Sequence, residues 1–254
     1  MSFKRVFLFI LAVIVGLIIY SFQPTQYPTF EMQPISESQK GENVLIFGAT
    51  RNTGLEVARI LDSRGDSVTA FVRPTSDLTS IETLNVSLAE GDAFDILSIE
   101  KAVEGKGFTS IVTTIACFSC DPKPDFIGNR NIFDVAKKFG VKRVVLVSTV
   151  GAGDSYDAAP WPARRFLKDM LPLKTQAEDY LADSGLDYTI IRPGGLKSDP
   201  ASGRAYLSES REASGIINRE DLAKLIVQVL DNENAIGKTL AAIDADMVFP
   251  WDMF

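Results

Sequence analysis

The sequence predicts an α/β fold, a doubly wound parallel sheet in a single domain, from three observations. Short apolar runs rich in β-branched residues alternate along the chain with stretches of helical spacing. The runs are nearly continuous in apolar residues, as strands covered on both faces must be. The first run turns on glycines straight into a helix, in NVLIFGATRNTGLEVARIL, Asn43–Leu61.

The chain begins outside that pattern. Residues 6–22, VFLFILAVIVGLIIYSF, carry no charge, and at 1.5 Å per residue they span roughly 25 Å, close to a bilayer's hydrocarbon thickness. One N-terminal transmembrane helix, residues 1–22, is therefore expected, with a single-pass membrane localisation and the lipid bilayer as partner. A cleaved signal peptide is the rival, but no small-x-small pair follows the apolar run. Lys4 and Arg5 before the run point the N-terminus toward the cytoplasm, while the side occupied by the domain stays open. Residues 23–41, with Pro24, Pro28 and Pro34 among polar residues, read as a flexible tether.

The domain, residues 42–254, follows. Strands are expected at Asn43–Phe47, Ser67–Val72, Val86–Glu90, Ser110–Ala116, Arg143–Ser148 and Tyr188–Arg192. Helices are expected at Gly54–Leu61, Ile96–Val103, Asn129–Phe139, Leu173–Ala182 and Arg219–Leu230. About 210 residues beyond the tether suffice for one sizeable core.

Composition removes several chemistries. The net charge is -7 with no dense Lys/Arg run, which argues against a nucleic-acid surface, since phosphate-backbone binding needs clustered cations. There are no histidines, so a Ser-His-Asp triad, a His base and every His-ligated metal site are excluded, and no metal is expected.

The glycine turn points to an anion. It lies where a strand ends and a helix starts, and backbone N–H groups and the helix dipole there favour a phosphate. Gly48 permits the sharp turn, and Gly54 permits close approach of helix to strand or ligand. Arg73 ends the next strand in VTAFVRP, about where an adenosine ribose lies in such a unit. An arginine there pairs with a 2′-phosphate, so NADP is favoured, with NAD possible.

These stretches resemble a known family. GATRNTG at Gly48–Gly54, FVR at Phe71–Arg73, GDAFD at Gly91–Asp95, VLVSTVGAG at Val145–Gly153, AEDYLADSGLDYTIIRPGGL at Ala177–Leu196 and INREDLAKLIVQVL at Ile217–Leu230 are similar to the atypical short-chain dehydrogenase/reductases. Within these they resemble the NAD(P)H-binding, NmrA-like group that includes flavin/biliverdin reductase-type proteins. The resemblance implies a Rossmann-like domain in which Gly48, Thr50, Arg51, Asn52, Thr53 and Gly54 line the pyrophosphate. It also implies that Arg73 meets the 2′-phosphate, that Asp92 and Ala93 flank the adenine, and that the turn at Pro193 passes beneath the nicotinamide. The family usually has glycine at position 51. Arg51 sets a guanidinium beside the phosphates and is expected to strengthen binding; filling the groove is the alternative.

By the same resemblance Ser148 and Lys174 are the catalytic candidates. The wider superfamily pairs such a lysine with a tyrosine four residues earlier, the lysine lowering the tyrosine's pKa. Met170 stands there instead, and Tyr156 or Tyr180 replaces the tyrosine only if the fold brings one of them to the nicotinamide. Hydride transfer to a flavin- or quinone-like acceptor needs little protein acid–base chemistry, because the cofactor carries the reaction. The expected function is thus a membrane-anchored NAD(P)H-dependent oxidoreductase acting on a small planar acceptor. The alternative is a non-catalytic NAD(P)-binding redox sensor, or an assembly factor for a membrane protein complex.

Cys117 and Cys120, in CFSC after the fourth strand, read either as a redox pair able to close as a disulfide or as one buried and one loop cysteine. Lys197–Ser214 reads as a mobile lid or pocket wall. Residues 158–172, with Trp161, Arg164, Arg165 and Lys168, read as a solvated helix face, as a border of the substrate, or as a contact with a membrane surface.

Overall fold

The first strand shows how the core divides. In β1 (Asn43–Phe47) Val44 and Ile46 join one buried cluster and Leu45 and Phe47 another, the two-residue alternation of a strand covered on both faces. The computed structural model describes residues 26–33, 41–247 and 249.

The elements that follow are α1 (Asn52–Arg64), β2 (Ser67–Val72), β3 (Ser87–Glu90), α2 (Ile96–Val103), β4 (Ser110–Thr113), α3 (Ile127–Phe139) and β5 (Arg143–Val147). Then come α4 (Trp161–Phe166), α5 (Leu171–Ala182), β6 (Asp187–Pro193), β7 (Gly195–Lys197), β8 (Ala205–Ser208), β9 (Ile216–Asn218), α6 (Arg219–Leu230) and β10 (Lys238–Asp244). Eight strands form one sheet in the order β3-β2-β1-β4-β5-β6-β10-β8, and β7 pairs with β9 separately. Every pairing is parallel except β10 with β8. The order reverses between β1 and β4, which opens a crevice at the carboxyl ends of the strands.

Helices α1 and α6 cover one face, with Leu55, Leu61, Leu222 and Ile226 in its cluster. Helices α2, α3 and α5 cover the other through Ile99, Ile132, Phe133 and Leu181. Both α1 and α3 stop at left-handed glycines, Gly65 (φ 87°) and Gly140 (φ 77°), the usual αL termination. Arg64 ties three elements together. Its guanidinium meets Asp66 at 2.5 Å and Asp231 just beyond α6, both carboxylates being almost fully buried. Desolvation holds the Asp231 carboxyl above the ordinary carboxylate range, with the Arg64 hydrogen bond and charge opposing.

The expected strands and helices appear with their ends moved by at most three residues. The stretch expected as a mobile lid or pocket wall contains β8, an edge strand antiparallel to β10. Strand β10 escaped the sequence reading because KTLAAID is poor in the residues strands favour, and it is held by its neighbours on both sides. Residues 158–172 contain α4, which has no buried residue.

The membrane expectation is corrected. Crossing a bilayer takes about 20 apolar helical residues, and no helix among the described residues is long and apolar enough to do so. The expected span, residues 6–22, lies outside the described residues. Neither the single-pass localisation nor the lipid partner is retained. Within the stretch expected as a tether, the Phe30 N–H donates to the Leu207 carbonyl at 2.7 Å, and Phe30 and Met32 pack on the core.

Candidate functional site

The crevice between β1 and β4 opens into a cavity of about 680 Å³, within the range of small-molecule sites. All twelve residues singled out from the sequence border it: Gly48, Thr50, Arg51, Asn52, Thr53, Gly54, Arg73, Asp92, Ala93, Ser148, Lys174 and Pro193.

At the cavity floor the chain leaves β1 through Gly48 (φ 87°). A Cβ on Gly54 would sit 2.2 Å from the Gly48 carbonyl oxygen, so the first turn of α1 lies directly on the strand end and only glycine fits. Thr114, just beyond β4, locks the same corner, its Oγ1 lying 3.2 Å from the Phe47 carbonyl oxygen and 3.3 Å from that of Gly48. Arg51, the residue before α1, is extended and makes no side-chain cap, and the first turn carries no acidic residue. The helix start therefore offers its N–H groups and dipole to an anion. Asn52 takes a left-handed conformation (φ 52°), which asparagine tolerates better than most residues.

Arginines border the two ends of this floor. Both Arg51 and Arg73 are exposed, and neither forms an ion pair among the described residues. Arg51 borders the cavity. The Arg73 N–H donates to Ser76 Oγ at 3.1 Å, which fixes the turn carrying the guanidinium. Asp92 accepts from the Phe94 N–H at 2.9 Å.

The opposite end holds the catalytic candidates. Ser148 follows β5 with its N–H on the Ile191 carbonyl at 2.7 Å, and its buried Oγ has no hydrogen-bond partner among the described residues. Lys174 on α5 is buried and its Nζ lies 3.3 Å from Asp125 Oδ1. Asp125 is fully buried; its other oxygen accepts from the Cys117 N–H at 3.4 Å. Helix α5 is itself pinned to β6, since Arg192 holds Glu178 through two bonds of 3.1 and 2.7 Å. Met170 is buried and borders the cavity.

No tyrosine borders the cavity among the described residues. Tyr156 lies under the Arg164 guanidinium at 5.1 Å. The Tyr180 hydroxyl donates to Asp134 at 2.6 Å, a bond that raises its pKa. Sequence reasoning missed Thr114, Asp125, Phe118 and Arg219. Thr114 locks the turn, and Asp125 meets Lys174, across long stretches of sequence, and Arg219 reads simply as the first residue of a helix. The cysteine alternatives resolve to a disulfide, Cys117–Cys120, with a Cα–Cα distance of 5.4 Å.

A family model described as NAD(P)H-binding matches residues 48–233. The chain belongs to the NAD(P)H-binding family. Its cofactor is NAD(P)H, and the cradle fits it: a Cβ would close the Gly48–Gly54 approach, the helix start is uncapped, and two arginines stand unpaired beside it. The family places the chain among NAD(P)H-dependent oxidoreductases. Sanguinarine reductase of Eschscholzia californica is 30% identical, over 80% of this chain and 89% of its own. An anaerobillin reductase from Escherichia coli O157:H7 superposes with a TM-score of 0.73 at 29% identity, over 81% of this chain and 98% of its own. A short-chain dehydrogenase/reductase from Veillonella parvula, solved in complex with NADP, shares the fold with a TM-score of 0.66 at 19% identity, over 82% of this chain and 97% of its own.

Proposed function

We propose that the protein is an NADPH-dependent reductase of a small, flat, conjugated acceptor, with Ser148 and Lys174 at the reacting end of the cavity. One observation carries this reading. A single cavity is bordered by an uncapped helix start, by Arg73, and by a buried serine hydroxyl and a buried lysine; among the described residues Arg73 has no ion pair and the hydroxyl no hydrogen-bond partner. The relatives named for sanguinarine and anaerobillin act on extended conjugated molecules, which supports the acceptor class.

The bound nicotinamide supplies the hydride. The chain's own residues bind, orient and stabilise. Amides at the start of α1 hold the diphosphate, and Arg73 pairs with the 2′-phosphate, which favours NADPH over NADH. Phe118, Leu167, Met170 and Leu196 border the cavity and give the acceptor an apolar bed that excludes water. Ser148 Oγ has no internal partner and donates to an electronegative atom of the acceptor. Lys174 Nζ sets positive charge where the acceptor gains negative charge, a stabilisation already in place before reaction. Asp125 holds that ammonium in position, and Met170 in place of tyrosine limits the chemistry to acceptors that need no phenolic proton donor.

The test is NADPH consumption by the full chain with a bilin, a benzophenanthridine cation, a flavin and a quinone, each against NADH. Turnover of at least one conjugated acceptor with NADPH preferred is expected. Tight NADPH binding with no turnover across all four would favour a nucleotide-binding sensor instead.

A further inference from the structure

We propose that the Cys117–Cys120 disulfide is a thiol–disulfide exchange site in the acceptor wall, open to a dithiol reductant, whose oxidation state sets acceptor affinity. The proposal rests on reading this cavity as the nucleotide and acceptor site.

The disulfide closes the loop that follows β4, and Cys117, Phe118, Ser119 and Cys120 all border the cavity. Both cysteines are half-buried and Ser119 between them is exposed, so the loop carrying the bond faces solvent. Phe118, 57% exposed, rests against Phe166 of α4 with ring centroids 5.2 Å apart. Lys123 clamps the loop from behind, its Nζ donating to the carbonyls of Phe118 at 2.8 Å and Cys120 at 3.3 Å. The Cys117 N–H donates to Asp125, whose other oxygen pairs with Lys174. One covalent bond therefore fixes the aromatic lip of the acceptor bed and touches the residue that positions Lys174.

Exchange is balanced with a dithiol. One of its thiolates attacks Cys120 Sγ, the S–S bond breaks, and the electron pair leaves on Cys117 Sγ, where Ser119 Oγ at 4.0 Å can donate to the new thiolate. The second thiol of the reductant then attacks the mixed disulfide and releases Cys120. Two electrons pass from the dithiol to the protein, two protons end on the cysteines, and the reductant leaves as its own disulfide. The loop then loses its cross-link and keeps the Phe118–Phe166 contact and the Lys123 clamp.

The experiment uses the full chain in three forms: oxidised, reduced with dithiothreitol and freed of reagent, and carrying Cys117→Ser with Cys120→Ser. Alkylation and mass measurement count thiols on the native protein, and NADPH Kd, acceptor KM and kcat are read for each form. Dithiothreitol is expected to convert the folded oxidised form to two free thiols. Acceptor KM should rise about fivefold or more on reduction, with NADPH Kd changed less than about twofold, and oxidised dithiothreitol should restore the first value. The double variant should match the reduced form and ignore reductant; if it does not fold, the reduced wild-type chain supplies the same comparison. Resistance of the folded disulfide to dithiothreitol, or equal KM in both redox forms, overturns the proposal. Absence of turnover in every form overturns the acceptor reading itself and this proposal with it, whereas equal KM alone leaves the reductase standing.

Discussion

Gly54→Ala tests the cradle at its tightest point. The added methyl would stand 2.2 Å from the Gly48 carbonyl oxygen and 2.8 Å from both the Gly48 carbonyl carbon and Thr114 Oγ1. Ordinary C···O contact is about 3.3 Å, so the overlap is roughly 1 Å against backbone, which no side-chain rotation relieves. The start of α1 must lift from the end of β1 by a similar amount. Overpacking of this kind costs about 1–3 kcal/mol, which for a domain of this size lowers Tm by roughly 3–10 °C. The amides of the first turn move with the helix. Loss of one charge-assisted bond to the diphosphate, about 2–3 kcal/mol, raises the NADPH Kd roughly 30- to 150-fold. Nucleotide fluorescence titration and a circular dichroism melt read both effects. Gly65→Ala is the control: Gly65 has φ 87° and open space around its Cβ position, so it should lose about 1–2 kcal/mol to strain with an unchanged Kd. A Gly54→Ala protein with wild-type Tm and wild-type Kd would show that the first turn of α1 does not rest on the strand end.

Three further outcomes follow from the same structure. Arg73→Ser should weaken NADPH roughly 10- to 100-fold and leave NADH nearly unchanged, as titration with each nucleotide will show. Lys174→Met should abolish most turnover and cost about 3–5 kcal/mol, because fully buried Asp125 loses its cation; adding Asp125→Asn should recover much of the Tm but not the turnover. Arg64→Met should destabilise by about 3 kcal/mol near pH 8, because two buried carboxylates, Asp66 and Asp231, lose the cation that bridges them. Asp231, already held high by desolvation, then loses the attraction that opposes it, so its folded pKa rises further above the unfolded value. A carboxyl raised on folding favours the fold below its unfolded pKa, and that contribution is lost as pH rises through the folded pKa. The deficit against wild type should therefore shrink in urea melts as pH falls from about 8 toward about 5.

The parts of this account that were legible in the sequence are those encoded locally. Gly48 and Gly54 announce a strand-to-helix turn because an apolar run precedes them and helical spacing follows, and continuous apolar runs such as VVLV in β5 announce buried parallel strands. Arg73 was legible because it directly follows a recognisable strand. What stayed hidden depends on tertiary neighbours. Strand β10 is Ala-rich and exists because β6 and β8 flank it. Asp125 looks like a loop carboxylate until the fold buries it against Lys174 from another helix. Two cysteines three residues apart do not themselves choose between thiols and a bridge.

The proposed reductase depends on the notch between β1 and α1 holding the diphosphate of NADPH, with Arg73 on the added phosphate. Calorimetric titration of the full chain with NADPH and NADH tests it most directly. One saturable site, with NADPH bound at least about tenfold more tightly, is the predicted result. Absence of saturable heat with either nucleotide would contradict the account.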